Sequence, residues 1–126
     1  MATNEIFEPV GKLSLPVPDS TAAGTALIIF GVVPAVTITA EGEGGNAALH
    51  ATCAIDPAWV FDLPVKGEDG AGNAAVSIGE LVVVDTDGEV NVDITNGTDF
   101  GIALEAVASG ATSTIRVLLL PPRPAA

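Results

Sequence analysis

Short apolar runs that alternate at period two, separated by dipeptides that favour chain reversal, constrain this chain more tightly than any other feature. Leu81-Val82-Val83-Val84-Asp85 is followed by Asp87-Gly88 and then by Val90-Asn91-Val92-Asp93-Ile94-Thr95. Val90, Val92 and Ile94 carry the spacing that places side chains on one face of a strand. Asp-Gly accepts the positive φ of a two-residue type I′ turn, so the segment predicts a hairpin. Asn96-Gly97 repeats the device ahead of a strand from Thr98 to Ala106, and Ala108-Ser109-Gly110-Ala111 turns that strand into Thr114 to Leu119. The expectation is a meander of four antiparallel strands.

Upstream, the same logic predicts more strands. Ala26 to Val33 is an eight-residue apolar run, read as one buried strand that Pro34 ends or bends, and far short of the roughly 20 residues of a membrane-spanning helix. Val36 to Ala40 alternates, and so do Leu49, Ala51, Cys53 and Ile55. Trp59, Phe61 and Leu63 share a face of the next strand, with Trp59 and Phe61 as core or subunit-contact anchors. Glu41 to Asn46 and Glu68 to Asn73 read as exposed, flexible acidic loops rich in glycine. Residues 1–19 intersperse Ile6, Phe7, Val10, Leu13, Leu15 and Val17 with Pro9, Pro16 and Pro18, and proline disfavours helix both at itself and at its predecessor. They read as an extended arm or a first strand. Residues 20–120 form one β domain, and residues 121–126 a Pro-rich tail.

A chain of 126 residues is long enough for one core. With 14 glycines, nine prolines and valine-rich alternation, that core favours strands and turns over helices. Sixteen acidic residues against four basic ones leave a net charge of −12, which repels a phosphate backbone and argues against nucleic-acid binding. The opening residues carry two glutamates and no base, so they do not read as a secretory signal. The single cysteine, Cys53, rules out an internal disulfide and suits a protein made in a bacterial cytoplasm.

Reaction centres are poorly supplied. His50 and Cys53 have the spacing of half a metal site, but zinc takes three or four protein ligands, and on an alternating strand these two point to opposite faces. Asp85-Thr86-Asp87-Gly88-Glu89 begins like a calcium loop. Its sixth position is Val90 where glycine is needed, and its twelfth is Asn96 where a bidentate glutamate is needed. Solvated acids in a turn explain it better. Ser77 and Ser109 lack the Gly-x-Ser-x-Gly elbow of a nucleophile, and the glycines of residues 41–46 lack the strand-to-helix setting of a phosphate cradle. The sequence thus predicts no catalytic, cofactor-binding or metal-binding residues and no enzyme.

Ser77-Ile78-Gly79-Glu80-Leu81-Val82, the run from Gly101 to Thr112, and Ile115-Arg116-Val117-Leu118-Leu119 resemble the C-terminal half of a family of small tailed-phage head proteins, the capsid cement or decoration proteins. Met1 to Pro9 and Leu63-Pro64-Val65-Lys66-Gly67 are similar to the same family, while residues 20–60 match weakly. Departures are the apolar run from Leu27 to Val33 and the tail Pro121-Pro122-Arg123-Pro124. The resemblance implies a small β-barrel or β-tulip that sits, usually as a trimer, on the outer surface of an icosahedral shell and braces its capsomers. Its partners would be the major capsid protein and two further copies of itself, and its location the virion. Contact with the shell would fall to Ile6, Phe7, Val10, Leu13 and Leu15. A head-displayed module that attaches to host surface glycans is the alternative, though a chain with no tyrosine and one tryptophan is short of sugar-stacking platforms. In a trimer, repulsion between acidic subunits must be outweighed by apolar burial. At roughly 25 cal/mol per Å², a contact of about 800 Å² per partner offers enough before association costs are subtracted.

Overall fold

A computed structural model describes residues 11–122. They form nine strands and no helix, in two antiparallel sheets. The first sheet has the order β1-β4-β3-β2, from β1 (Lys12–Pro16), β2 (Ala26–Ile29), β3 (Val33–Thr37) and β4 (His50–Ala54). The second has the order β5-β9-β8-β6-β7, from β5 (Val60–Lys66), β6 (Leu81–Val84), β7 (Val90–Asn91), β8 (Thr98–Ala103) and β9 (Thr112–Leu119). The fold is all-β as expected, but the sheets pack as two layers and do not close into a barrel.

Alternation explains the longest pairing. In β5, Phe61, Leu63 and Val65 turn inward while Val60, Asp62 and Pro64 face solvent, and β9 sets Val117 opposite Phe61 and Ile115 opposite Leu63. Pro64 is tolerated because β5 is an edge strand, whose outer side needs no ladder donor. Leu63, Val65, Ile115, Val117 and Leu119 join Val82, Val84, Phe100 and Val107 in the main core. The first sheet contributes Ala26 and Val36 to it, with Ile28 packed alongside. Its other face carries a smaller apolar cluster of Val17, Ile29, Ala35, Ala51 and Cys53, flanked by Leu15, Leu27, Val33 and Ile55.

Three expectations are corrected. First, the C-terminal strands are not a simple meander, because β6 lies between β7 and β8 and pairs with both. The strand expected over Val90 to Thr95 stops at Asn91. Beyond it the Asp93 carboxylate accepts hydrogen bonds from the Asn96 backbone N–H (3.3 Å) and side-chain amide (3.0 Å), and the Asp93 carbonyl accepts one from Gly97 N–H (2.9 Å). This turn sends the chain across the Val83 face of β6, so that a side chain on Gly97 would strike Val83. A bulge then follows in β8, where Gly101 pairs with Val82 and Asp99 with Val83, leaving Phe100 as the extra residue. Phe100 is fully buried.

Second, the Asp87-Gly88 turn is not type I′. Only Gly88 has positive φ, Gly88 N–H donates to Asp85 O (3.0 Å), and Asp85 N–H donates to Glu89 O (2.9 Å). That is the three-residue hairpin loop, a type I turn followed by a left-handed glycine. The β8 strand likewise ends at Ala103, short of Ala106, because residues 104–111 instead reach across to Gly67 and Val76.

Third, Ala26 to Val33 is a hairpin, not one strand. Phe30 (φ 54°) and Gly31 (φ 74°) both take left-handed backbone, and β3 returns with Ile28 opposite Pro34. Pro34 thus sits inside β3, where it neither ends nor bends the strand. The acidic loops are also pinned by hydrogen bonds. Asn46 Nδ2 donates to Glu43 O (2.7 Å) and Thr52 Oγ1 (3.0 Å), and Asp69 N–H donates to Gly72 O (3.0 Å).

Candidate interaction surface

The sites expected from sequence fall in separate places. Ile6, Phe7 and Val10 lie outside the described residues. Leu13 and Leu15 belong to β1, paired with Cys53 and Ala51 of β4, and both are half-buried. Their register puts them on the face of the small cluster, and Leu15 packs against it. Leu13 and Leu15 thus lie in the edge strand of the first sheet, each partly exposed.

Trp59 and Phe61 are half-buried, their rings 6.1 Å apart at 51°. Phe61 packs on the main core, whereas Trp59 sits ahead of β5 with the Lys12 ammonium 5.8 Å above its ring. Its other neighbour is Gly11, where an added methyl would come within 3.0 Å of the indole. His50 is half-buried with Nδ1 3.1 Å from Ala48 O, and Cys53 is wholly buried, which pushes its thiol pKa up.

One carboxylate cluster was not legible from sequence. Glu68, Asp85 and Glu89 bring oxygens within 4.8 Å of one another. Glu68 comes from the loop after β5 and reaches a turn some 20 residues further on. Lys66 already supplies the positive charge there, with Nζ 3.0 Å from Glu68 and 3.9 Å from Glu89, and its pKa is raised by the Glu68 hydrogen bond and then by both charges. Asp85 is committed as well, accepting from the backbone of Asp87 and Glu89 and from Asn91 Nδ2 (2.8 Å). The cluster ties loops together. Beside it, a cavity of about 330 Å³ opens between Thr25, Ala26, Leu63, Lys66, Glu89 and Thr112.

The most distinctive surface is an apolar groove of about 280 Å³ between Pro16-Val17-Pro18 and Leu27-Ile28-Ile29-Phe30. Its walls come from β1 and β2, opposite edges of the first sheet, yet Val17 and Ile29 share one cluster, so the sheet bends to bring its two edges together. Phe30 stands at the mouth, 73% exposed. The Val17 N–H donates to Leu49 O (2.9 Å), which brings Leu49, half exposed, to the same rim. Gly31, inside the apolar run, was the one sequence signal for this hairpin.

Among the described residues no strand pairs with the outer edge of β2. Thr37 N–H donates to Thr25 O (3.0 Å), which fixes the phase of the antiparallel ladder. Three residues on, and so in the opposite phase, Ile28 lies opposite Pro34 at a position where both backbones point their polar groups away from each other. The Ile28 N–H and C=O therefore face outward from the sheet, and no backbone hydrogen bond among the described residues reaches them. No protein-family model, curated protein or solved structure matches this chain.

Proposed function

We propose that this chain is a non-catalytic cap on the outside of a tailed-phage head, a decoration protein that binds the expanded shell and stabilises contacts between capsomers, as a trimer. The observation that carries the reading is the apolar groove beside a strand edge left unpaired among the described residues, on a molecule with a net charge of −12. Large exposed apolar side chains rimming a concavity mark binding surfaces on soluble domains. The runs Ser77 to Val82, Gly101 to Thr112 and Ile115 to Leu119, which resemble the decoration family, supply the rest of the case.

Mass action is the mechanism. A ligand that binds only the assembled, expanded lattice lowers the free energy of that lattice, and many symmetric copies multiply the effect. The partners in this reading are the major capsid protein and two sister subunits, the location is the virion surface, and residues 1–10 add Ile6, Phe7 and Val10 to the shell contact. Host-glycan attachment is less well supported, because the one indole has Lys12 over its face.

Cosedimentation with emptied, expanded heads tests the proposal. Saturable binding in multiples of three, reduced when residues 1–10 are deleted, is the expected result. Retention on host polysaccharide with no head binding would replace this reading with the glycan one.

A further inference from the structure

We propose that the groove between Pro16-Val17-Pro18 and β2 is a strand-acceptor site, taking an extended, apolar segment with a basic end from a partner protein. The inference deepens the reading above by naming the partner's chemistry, yet its experiment uses no phage particle, so the two can fail separately.

Three observations converge on it. The outward N–H and C=O of Ile28 offer the pair of hydrogen bonds by which an added strand registers on a sheet edge. The wall opposite contains Pro16 and Pro18, which have no N–H to be left unpaired beside a strand laid in the slot. Phe30 is a bulky residue held at φ 54° with its ring in solvent, a position where Asn would cost less. Strain and exposure in one residue at the mouth of a groove are what a contact side chain accounts for.

Charge selects the occupant. Beyond Pro18 stand Asp19 and Glu41, and the Glu41 carboxylate is pinned to this wall by the N–H groups of Leu49 (2.9 Å) and Ser20 (3.4 Å). No groove-lining residue is basic. A segment ending in Arg or Lys gains from these two carboxylates, and an acidic one is repelled. The chain's own Glu5-Ile6-Phe7-Glu8-Pro9, donated by a second copy, brings two carboxylates and a proline that cannot donate, so self-donation is disfavoured on both counts.

The test uses two short acetylated peptides of alternating Val and Thr, one carrying Arg at each end and the other Glu. With the full chain, the Arg peptide should slow hydrogen exchange at the Ile28 amide at least tenfold and bind at least tenfold more tightly than the Glu peptide. Ile28→Pro, which removes the outward donor together with a side chain packed beside the main core, should abolish the preference for the Arg peptide, and Phe30→Asp should weaken binding, each in a chain whose circular dichroism is unchanged. Equal binding of the two peptides, or no protection of Ile28 at millimolar peptide, would overturn the proposal. So would concentration-dependent self-association through β2 that the Arg peptide fails to displace.

Discussion

Gly67 and Ala108 meet backbone to backbone: a methyl group on Gly67 would overlap the Ala108 carbonyl oxygen and stand 2.8 Å from that of Ala74. Around this point Gly67 N–H donates to Ala111 O (2.8 Å), while Gly67 O accepts from Ala74 N–H (3.0 Å) and Gly110 N–H (2.9 Å). The segments around Ala74 and around Ala108 to Ala111 are thus both pinned to one residue without a side chain. Gly67→Ala should therefore destabilise the fold by about 1–3 kcal/mol through overpacking. Urea denaturation measures it, and an unchanged midpoint would show that the segments separate freely.

Phe30 gives a prediction of opposite sign. Its left-handed backbone costs about 1–2 kcal/mol for a residue with a side chain, and Asn-Gly is the pair that such a turn favours. Phe30→Asn should raise stability by up to about 1 kcal/mol. Head binding should fall at the same time. A thermal melt and a cosedimentation assay on one sample check both, and lowered stability would mean that the ring packs at home.

Acid sensitivity should report on Glu41. Hydrogen bonds from Leu49 and then Ser20 hold its carboxyl below the ordinary value of 4.5. A carboxyl whose folded pKa is depressed contributes stability that is complete above the unfolded value and is lost as pH falls through the folded one. Stability should thus drop below about pH 4.5, and Glu41→Gln should make that fall shallower. Parallel pH profiles for the two proteins would contradict the assignment.

Cys53 should be silent in the native state. It is fully buried, and its thiol pKa is raised by desolvation, so little thiolate is present or reachable at neutral pH. Labelling by a thiol reagent should follow opening of the β1-β4 pair and accelerate with denaturant. Rapid labelling without denaturant would show that this sheet opens on its own.

The two-residue repeat was enough to establish the class of fold and the inward face of several strands. Leu63, Val90 and Val92 are buried where alternation placed them, whereas Ile94, expected on the face of Val90 and Val92, is exposed because the strand stops at Asn91. Pairing order was not legible. That β8 returns to the free side of β6 and not to β7 depends on the Asp93–Asn96 turn and on the contact of Gly97 with Val83, and neither follows from local propensity. The hairpin at Phe30-Gly31 was hidden because apolar residues continue through the turn, and periodicity cannot register a reversal that carries no polar break.

The sequence by itself determined that this chain makes strands, has no internal disulfide and carries a net charge of −12, because residue type, spacing and summed charge need no partner to act. The tertiary structure decided where the open edge lies and what stands next to it. Bending of the first sheet brings Val17 and Ile29 into one cluster, and it sets Pro16-Val17-Pro18 against the outward backbone of Ile28. Such a juxtaposition depends on long-range burial, in which residues far apart in the chain exclude the same water.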